Sequence, residues 1–313
     1  MSTRAISTRH PAGVVIEKSE TPLNVLTWRR SDPKHALDAK EKSKLTKDEW
    51  KEFTKSVWQI ANTSHPDHPA VFPEEIPRRL IKLFSMVGDV VLDPFCGVAT
   101  TGCSALKLGR HFVGTDSSKA YLKIAKGNLE SVAEEVRSVV PHHALLHCDA
   151  RKLRFLPENC VDLIVTSPPY WNKADYAHNS FNLGCLDKYN EFLLGMAQSF
   201  TELHRVLQDG KRMCIVTANV NQYSNHGLLT FPIASDYIKL LQTAGFHVVN
   251  EIIWSKDKTG GKWGSFGAQR PIFGSYPYPP HFYFKNVHEY IIIAKKSIAG
   301  KFKGPELSSL MGN

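Results

Sequence analysis

This sequence predicts a doubly wound α/β fold with a mostly parallel sheet, on three observations. Helical and strand-like segments alternate almost throughout the 313 residues, the pattern that places helices on both faces of a parallel sheet. Residues 89–116 read as strand, small-residue turn, helix and strand, with Asp116 at the tip, the wiring of a nucleotide-type site. Residues 161–171, Val-Asp-Leu-Ile-Val-Thr-Ser-Pro-Pro-Tyr-Trp, read as a buried strand stopped by prolines. Pro168 has no N–H to give a ladder, so pairing must end there.

Residues 1–45 are polar and mixed in charge, with little periodicity. The run Thr46–Glu49 is a capping-box signature before a helix carrying Trp50, Phe53, Val57 and Trp58 on one side, an aromatic stripe that reads as packing rather than base stacking. Residues 73–84 read as the next helix. Val90–Leu92 is a buried strand, and after Asp93-Pro-Phe-Cys-Gly-Val-Ala-Thr-Thr101 an apolar-periodic helix runs to Gly109. His111–Thr115 is a strand. Further helices are expected over 119–139, 189–206 and 231–244, the last capped by Gly245, and further strands near 144–147, 213–217, 247–254 and 290–295. Between the last two strands lies a long segment, 256–287, rich in Lys, Arg and aromatics. A loop of that length is uncommon without a function.

The rim after the strand at 161–166 has a definite chemistry. It offers a serine hydroxyl, prolyl carbonyls with no intraloop partner and a tyrosine ring, at the sheet edge where open α/β folds bind ligands. Oxygen acceptors beside an aromatic face suit a flat base with an exocyclic amine. The turn at Gly97 lets backbone approach a ligand, and Asp116 is placed to accept from ribose hydroxyls. Gly-x-Gly-x-x-Gly is absent, because Ala99, Thr100 and Thr101 follow Gly97. A pyrophosphate cradle, and with it a dinucleotide dehydrogenase, is therefore disfavoured. A turn serving only helix–sheet packing is the bland alternative.

Together the two segments resemble the amino-directed DNA methyltransferases, S-adenosylmethionine enzymes that methylate exocyclic amines of bases. Asp93-Pro-Phe-x-Gly-x-x-Thr-Thr101 is similar to that family's cofactor loop, and Ser167-Pro168-Pro169-Tyr170 to its catalytic tetrapeptide. Residues 65–81, 263–266, 274–279 and 288–293 resemble further family stretches, so the resemblance spans about residues 60–296. Two departures stand out. Ala99 occupies a position where many members carry Gly. Cofactor segments here precede the catalytic motif, a circularly permuted order, so the recognition element cannot be found by counting along the usual order.

The resemblance implies a seven-stranded sheet with an antiparallel last strand and S-adenosylmethionine as cofactor. Carried onto matching positions, it implies cofactor contacts from Phe72, Pro73, Asp93, Phe95, Cys96, Gly97, Thr100, Asp116, Ser117 and Asp149. For Asp149 a helix N-cap or loop acid is an equal alternative to a bond with the adenine amine. Double-stranded DNA is the implied partner, with Trp171, Lys258, Lys262, Ser265, Arg270 and Tyr276 as candidate contacts and a cognate restriction endonuclease as a possible companion. Packing of the 256–287 segment over the sheet is the competing reading. A serine at the first tetrapeptide position favours the N4 amine of cytosine, and adenine N6 is the rival. An RNA base methyltransferase and a catalytically silent nucleic-acid-binding protein are weaker alternatives.

The reading divides the chain into an N-terminal arm and helix (1–60), a catalytic domain (61–296) with 256–287 as candidate target-recognition loop, and a tail (297–313). A formal net charge of +9 favours a polyanionic partner. Six scattered cysteines without a Cys-x-x-Cys pair read as reduced core thiols. No run approaches the ~18 apolar residues of a membrane span, so a cytoplasmic, nucleoid-associated monomer or homodimer without metal is expected.

Overall fold

The computed structural model describes residues 14–16, 23–28, 33–62, 72–136, 141–171, 182–225, 227–256, 278 and 286–298. In chain order the strands are β1 (Val14–Ile16), β2 (Val57–Gln59), β3 (Val90–Asp93), β4 (His111–Asp116), β5 (His143–His147), β6 (Val161–Thr166), β7 (Leu207–Thr217), β8 (Val220–Ser224), β9 (Gly227–Phe231), β10 (Phe246–Ser255) and β11 (His288–Lys296). The α-helices are α1 (Pro33–Lys42), α2 (Lys47–Phe53), α3 (Glu75–Phe84), α4 (Thr100–Lys107), α5 (Lys119–Glu135), α6 (Tyr189–Val206) and α7 (Ile233–Thr243).

Nine strands form one sheet in the order β1-β5-β4-β3-β6-β7-β11-β10-β2. The expected seven are its centre, and β11 runs antiparallel to both β7 and β10, as expected for the last strand. The two additional strands come from the N-terminal arm. β1 pairs in parallel with β5 at one edge, and β2 pairs in parallel with β10 at the other. Three-residue strands leave almost no periodicity to read, which is why the sequence does not reveal them.

Side chains alternate across the central strands with period two. Val90, Leu92, Ile164, Met213 and Ile215 face the core under α6 and α7. Val91, Leu163, Val165, Cys214 and Val216 face the core under α3, α4 and α5. Near-continuous burial of β3 and β6 follows, because both faces are covered. α4 lies so close to β4 that a Cβ on Gly102 would sit 2.5 Å from the Phe112 ring.

The predicted helix of residues 46–58 is shorter than its aromatic stripe. Its capping box forms, with Thr46 Oγ1 accepting from the Glu49 N–H and Glu49 accepting from the Thr46 N–H. The helix ends at Phe53, however, and Val57 and Trp58 belong to β2. Phe53 and Trp58 are buried while Trp50 is exposed, so packing is the role of the buried pair. Within residues 1–45, α1 and a 3₁₀ turn at Val25–Trp28 form despite the weak pattern, and Val25 is fully buried. The β8–β9 hairpin and a 3₁₀ turn at Leu183–Cys185 are further elements without a sequence expectation. Among the described residues no helix is long and apolar enough to cross a membrane.

Candidate active site

The sheet order reverses direction between β3 and β6. The chain leaves β3 towards β4 and β5 on one side, and β6 continues to β7 on the other. A crevice opens at such a switch point, beyond the carboxyl ends of the strands. The two loops that flank it are the two motifs singled out in the sequence, Pro94–Ala99 after β3 and Ser167–Trp171 after β6. β3 and β6 are paired in parallel, Leu92 opposite Ile164, so both loops emerge side by side.

Asp93 ties them together. Its Oδ1 accepts from the Thr166 hydroxyl at 2.7 Å and from the Phe95 N–H at 3.1 Å, and its Oδ2 accepts from the Thr101 hydroxyl at 2.8 Å. One buried carboxylate thus joins the ends of β3 and β6 and the first turn of α4. Burial pushes its pKa up to about 6, against the lowering effect of these donors. Of the adjacent threonines, Thr101 is buried and makes this tie, while Thr100 opens α4 half-buried.

The cofactor-loop residues form a tight arch. Gly97 has φ +50°, and Ala99 sits in the left-handed region at φ +66°, ψ +39°. That conformation favours glycine, which gives physical meaning to the Ala99 departure. Cys96 is buried, and its N–H donates to the Thr115 carbonyl at 2.9 Å. Asp116 at the end of β4 reaches across to the arch. Its Oδ2 accepts from the Gly97 N–H and its Oδ1 from the Ser118 N–H, both at 2.8 Å. Burial raises its pKa from the ordinary value. Phe95 is half-buried against the α6–α7 side of the core, Phe72 packs on the α3–α4 side, and Pro73 is buried. The Ser117 carbonyl lies 3.0 Å from His147 Nε2.

Asp149 is a loop acid rather than a helix N-cap. Its Oδ1 accepts from the Arg151 N–H at 2.9 Å, and the Arg151 guanidinium forks onto both carboxylate oxygens at 2.7–3.0 Å. Burial pushes the Cys148 thiol up to about 12 and the Cys96 thiol well above its ordinary value. Neutral thiols are poor nucleophiles.

In the tetrapeptide, Ser167 and Pro169 are half-buried, and Pro168 and Tyr170 are buried. The Ser167 hydroxyl has no hydrogen-bond partner among the described residues. The Tyr170 hydroxyl donates to Glu289 Oε2 at 2.7 Å. Trp171, a candidate DNA contact in the sequence, is tied into the interior by its own contacts. It is 8% exposed, donates its indole N–H to the Leu186 carbonyl at 2.8 Å and packs edge-on to Phe231 at 4.5 Å. Lys256, counted in the sequence with the cations of the loop, is turned inward onto Glu289 and lies 4.3 Å over the Trp254 ring. Lys258, Lys262, Ser265, Arg270 and Tyr276 lie outside the described residues.

Thr101, Thr166 and Glu289 are the site residues that sequence reasoning missed. Thr166 left one signal, a hydroxyl at the end of an otherwise apolar strand, directly before Ser167. Among the described residues no group of His, Cys, Asp or Glu is arranged to hold a metal.

The model of a family described as DNA methylase, N6_N4_Mtase, matches residues 3–127 and 161–307. The chain belongs to this family. Among curated relatives, the Type II methyltransferase M.BglI of Bacillus subtilis is 38% identical over 93 residues, covering 29% of this chain and 27% of its own length. The Type II methyltransferase M2.DpnII of Streptococcus pneumoniae is 34% identical over 140 residues, covering 36% of this chain and 52% of its own length. The matched part thus spans between about a quarter and half of these relatives. Among solved structures, a methyltransferase of Methanosarcina mazei described as S-adenosylmethionine-dependent overlays with a TM-score of 0.45 at 13% identity, covering 70% of this chain and 97% of its own.

Proposed function

We propose that this protein transfers a methyl group from S-adenosylmethionine to the exocyclic N4 amine of cytosine in double-stranded DNA, at a specific site and in a restriction–modification setting. The observation that carries this reading is the switch-point crevice, where the Asp93–Thr166 bond holds the Gly97 arch beside the Ser167-Pro-Pro-Tyr170 rim.

The residues present fit the cofactor. Gly97 carries no side chain, so the backbone of the arch can approach a ligand closely. Asp116 is already oriented by two N–H donors, and a carboxylate offers about four acceptor positions, so capacity remains for ribose hydroxyls. Phe95, Cys96, Gly97, Thr100 and Ser117 line the arch, Phe72 and Pro73 enclose the methionine end, and Asp93 holds the loop from beneath. The adenine amine falls to Asp149, whose orientation the Arg151 fork fixes. When bound, the cofactor supplies an electrophilic methyl group on a sulfonium.

The acceptor amine is a poor nucleophile because its lone pair is delocalised into the ring. The Ser167 hydroxyl and the Pro168 carbonyl accept hydrogen bonds from the amine and favour a tetrahedral nitrogen. Pro169 stiffens the rim, and holding nitrogen near the methyl carbon contributes several kcal/mol through proximity alone. The base must leave the duplex stack to reach this rim, and the Tyr170 ring offers it a stacking face. Cations and aromatics of the 256–287 segment (Lys258, Lys262, Ser265, Arg270, Tyr276) are assigned to the DNA.

Labelled methyl transfer to unmethylated DNA, followed by nuclease digestion and mass analysis of the product nucleoside, tests the reading. N4-methylcytosine is expected. N6-methyladenine would replace the base assignment, and absence of transfer would leave a binding protein.

A further inference from the structure

Behind the tetrapeptide three elements meet on one carboxylate. Glu289 of β11 accepts the Tyr170 hydroxyl on Oε2 at 2.7 Å and the Lys256 ammonium on Oε1. Tyr170 and Glu289 are each 8% exposed, so water competes little for this pair. Lys256 is the last described residue before the segment 257–277, and its N–H donates to the Val287 carbonyl at 2.8 Å. The neck of the candidate recognition loop and the aromatic ring of the rim are therefore held by the same side chain. The partners come from β11, from the end of β10 and from the loop after β6, up to 119 residues apart in sequence.

We infer that Glu289 is a positioning residue for the target base: it fixes the Tyr170 ring in the plane on which the base stacks and couples that plane to the neck of the 256–287 loop. Tyr170 sits in the core cluster, and the Glu289 acceptor adds a directional tie at the hydroxyl end of its ring. Loss of the acceptor removes that tie and lets the ring shift, although the loop itself stays in place. Lys256 contributes by holding the carboxylate in its orientation, and its own aim is fixed by the Trp254 face. The inference rests on the proposed methyl transfer to DNA.

A double-mutant cycle on the full-length protein tests it, with turnover and cofactor affinity measured separately. Glu289→Ala should lower turnover by about 10–100-fold, the worth of a hydrogen bond to a charged group, while S-adenosylmethionine affinity by calorimetry changes less than about twofold. Glu289→Gln keeps an acceptor for the hydroxyl and should restore most of the turnover, which also separates positioning from a failure to fold. In a Tyr170→Phe background, Glu289→Ala should cost no more than about threefold, because the hydroxyl it serves is gone. Full additivity of the two substitutions would overturn the inference and leave the proposed reaction intact. A wild-type protein that transfers nothing to DNA would remove the parent reading and this inference together.

Discussion

At the amino end of the central strands Asp89 and Asp162 share one cation. Lys211 Nζ lies 3.5 Å from Asp89 and 3.0 Å from Asp162, and Asp162 also accepts from the Val90 N–H at 3.0 Å. At the carboxyl end of the same strands Asp93 and Asp116 take hydroxyl and amide N–H donors, and no lysine or arginine among the described residues bridges to them. Burial raises the pKa of Asp89, Asp93 and Asp116 alike, so the ends differ in partners rather than in burial. A carboxylate neutralised by lysine is finished as a structural joint. A carboxylate held by hydroxyl and amide donors keeps some acceptor capacity for a ligand. Side by side, the two ends separate scaffold from site within a single sheet.

Substitutions at either end break or sharpen that division. The largest effect is expected at the rim: Ser167→Ala removes an amine hydrogen bond and should lower turnover by about 10²–10³, with cofactor affinity nearly unchanged. Wild-type turnover in this variant would take the serine out of the chemistry. At the opposite end Lys211→Met leaves buried Asp162 and half-buried Asp89 without their shared cation. Because Lys211 is one-third exposed, the loss should fall near the lower end of that for a broken buried pair, about 3 kcal/mol in denaturant unfolding. Its cofactor affinity should match wild type, and a large loss of affinity would show that the two ends are not independent.

Asp116→Ala should weaken S-adenosylmethionine binding by about 1.5–3 kcal/mol, read by calorimetry, and an unchanged affinity would move the ribose contact elsewhere. Asp93 offers a pH test. Its folded pKa of about 6 lies above the ordinary 3.8, so the folded state binds this proton more tightly than the unfolded chain. Its contribution to stability is therefore greatest below pH 3.8 and is lost as pH rises through about 6. The gap amounts to about 3 kcal/mol at neutral pH. Asp93→Asn, which can still accept from Thr166 and donate to Thr101, should recover about 1–2 kcal/mol of this at pH 8. Its advantage should vanish towards pH 4, and an advantage independent of pH would mean that the carboxyl is not the titrating group. The smallest effect is expected at the arch. Ala99→Gly relieves about 1–2 kcal/mol of left-handed strain and gives up about 0.8 kcal/mol of methyl burial. The net gain should be under about 1 kcal/mol in thermal melts, whereas a loss would mean that the methyl group is needed by the arch.

Much of this was legible in the sequence. The seven central strands, the helices from α3 to α7 and the two motif loops all carry local signatures: period-two and period-3.6 burial, a Gly after a helix, a proline that stops a strand. Those signals depend on neighbours within a few residues, so the chain alone determines them. It also placed Ser167 and Asp116 at strand tips, because the stop signals are local. What only the tertiary structure decided lies between residues far apart. Strand order put Asp93 against Thr166, 73 residues away, and Tyr170 against Glu289, 119 residues away. The same packing buried Trp171, turned Lys256 inward and recruited two three-residue strands from the arm to the sheet edges. No local propensity encodes such partners, since many pairings satisfy the same alternation. The choice among them is made by which faces can be buried together, and that is a property of the whole sheet.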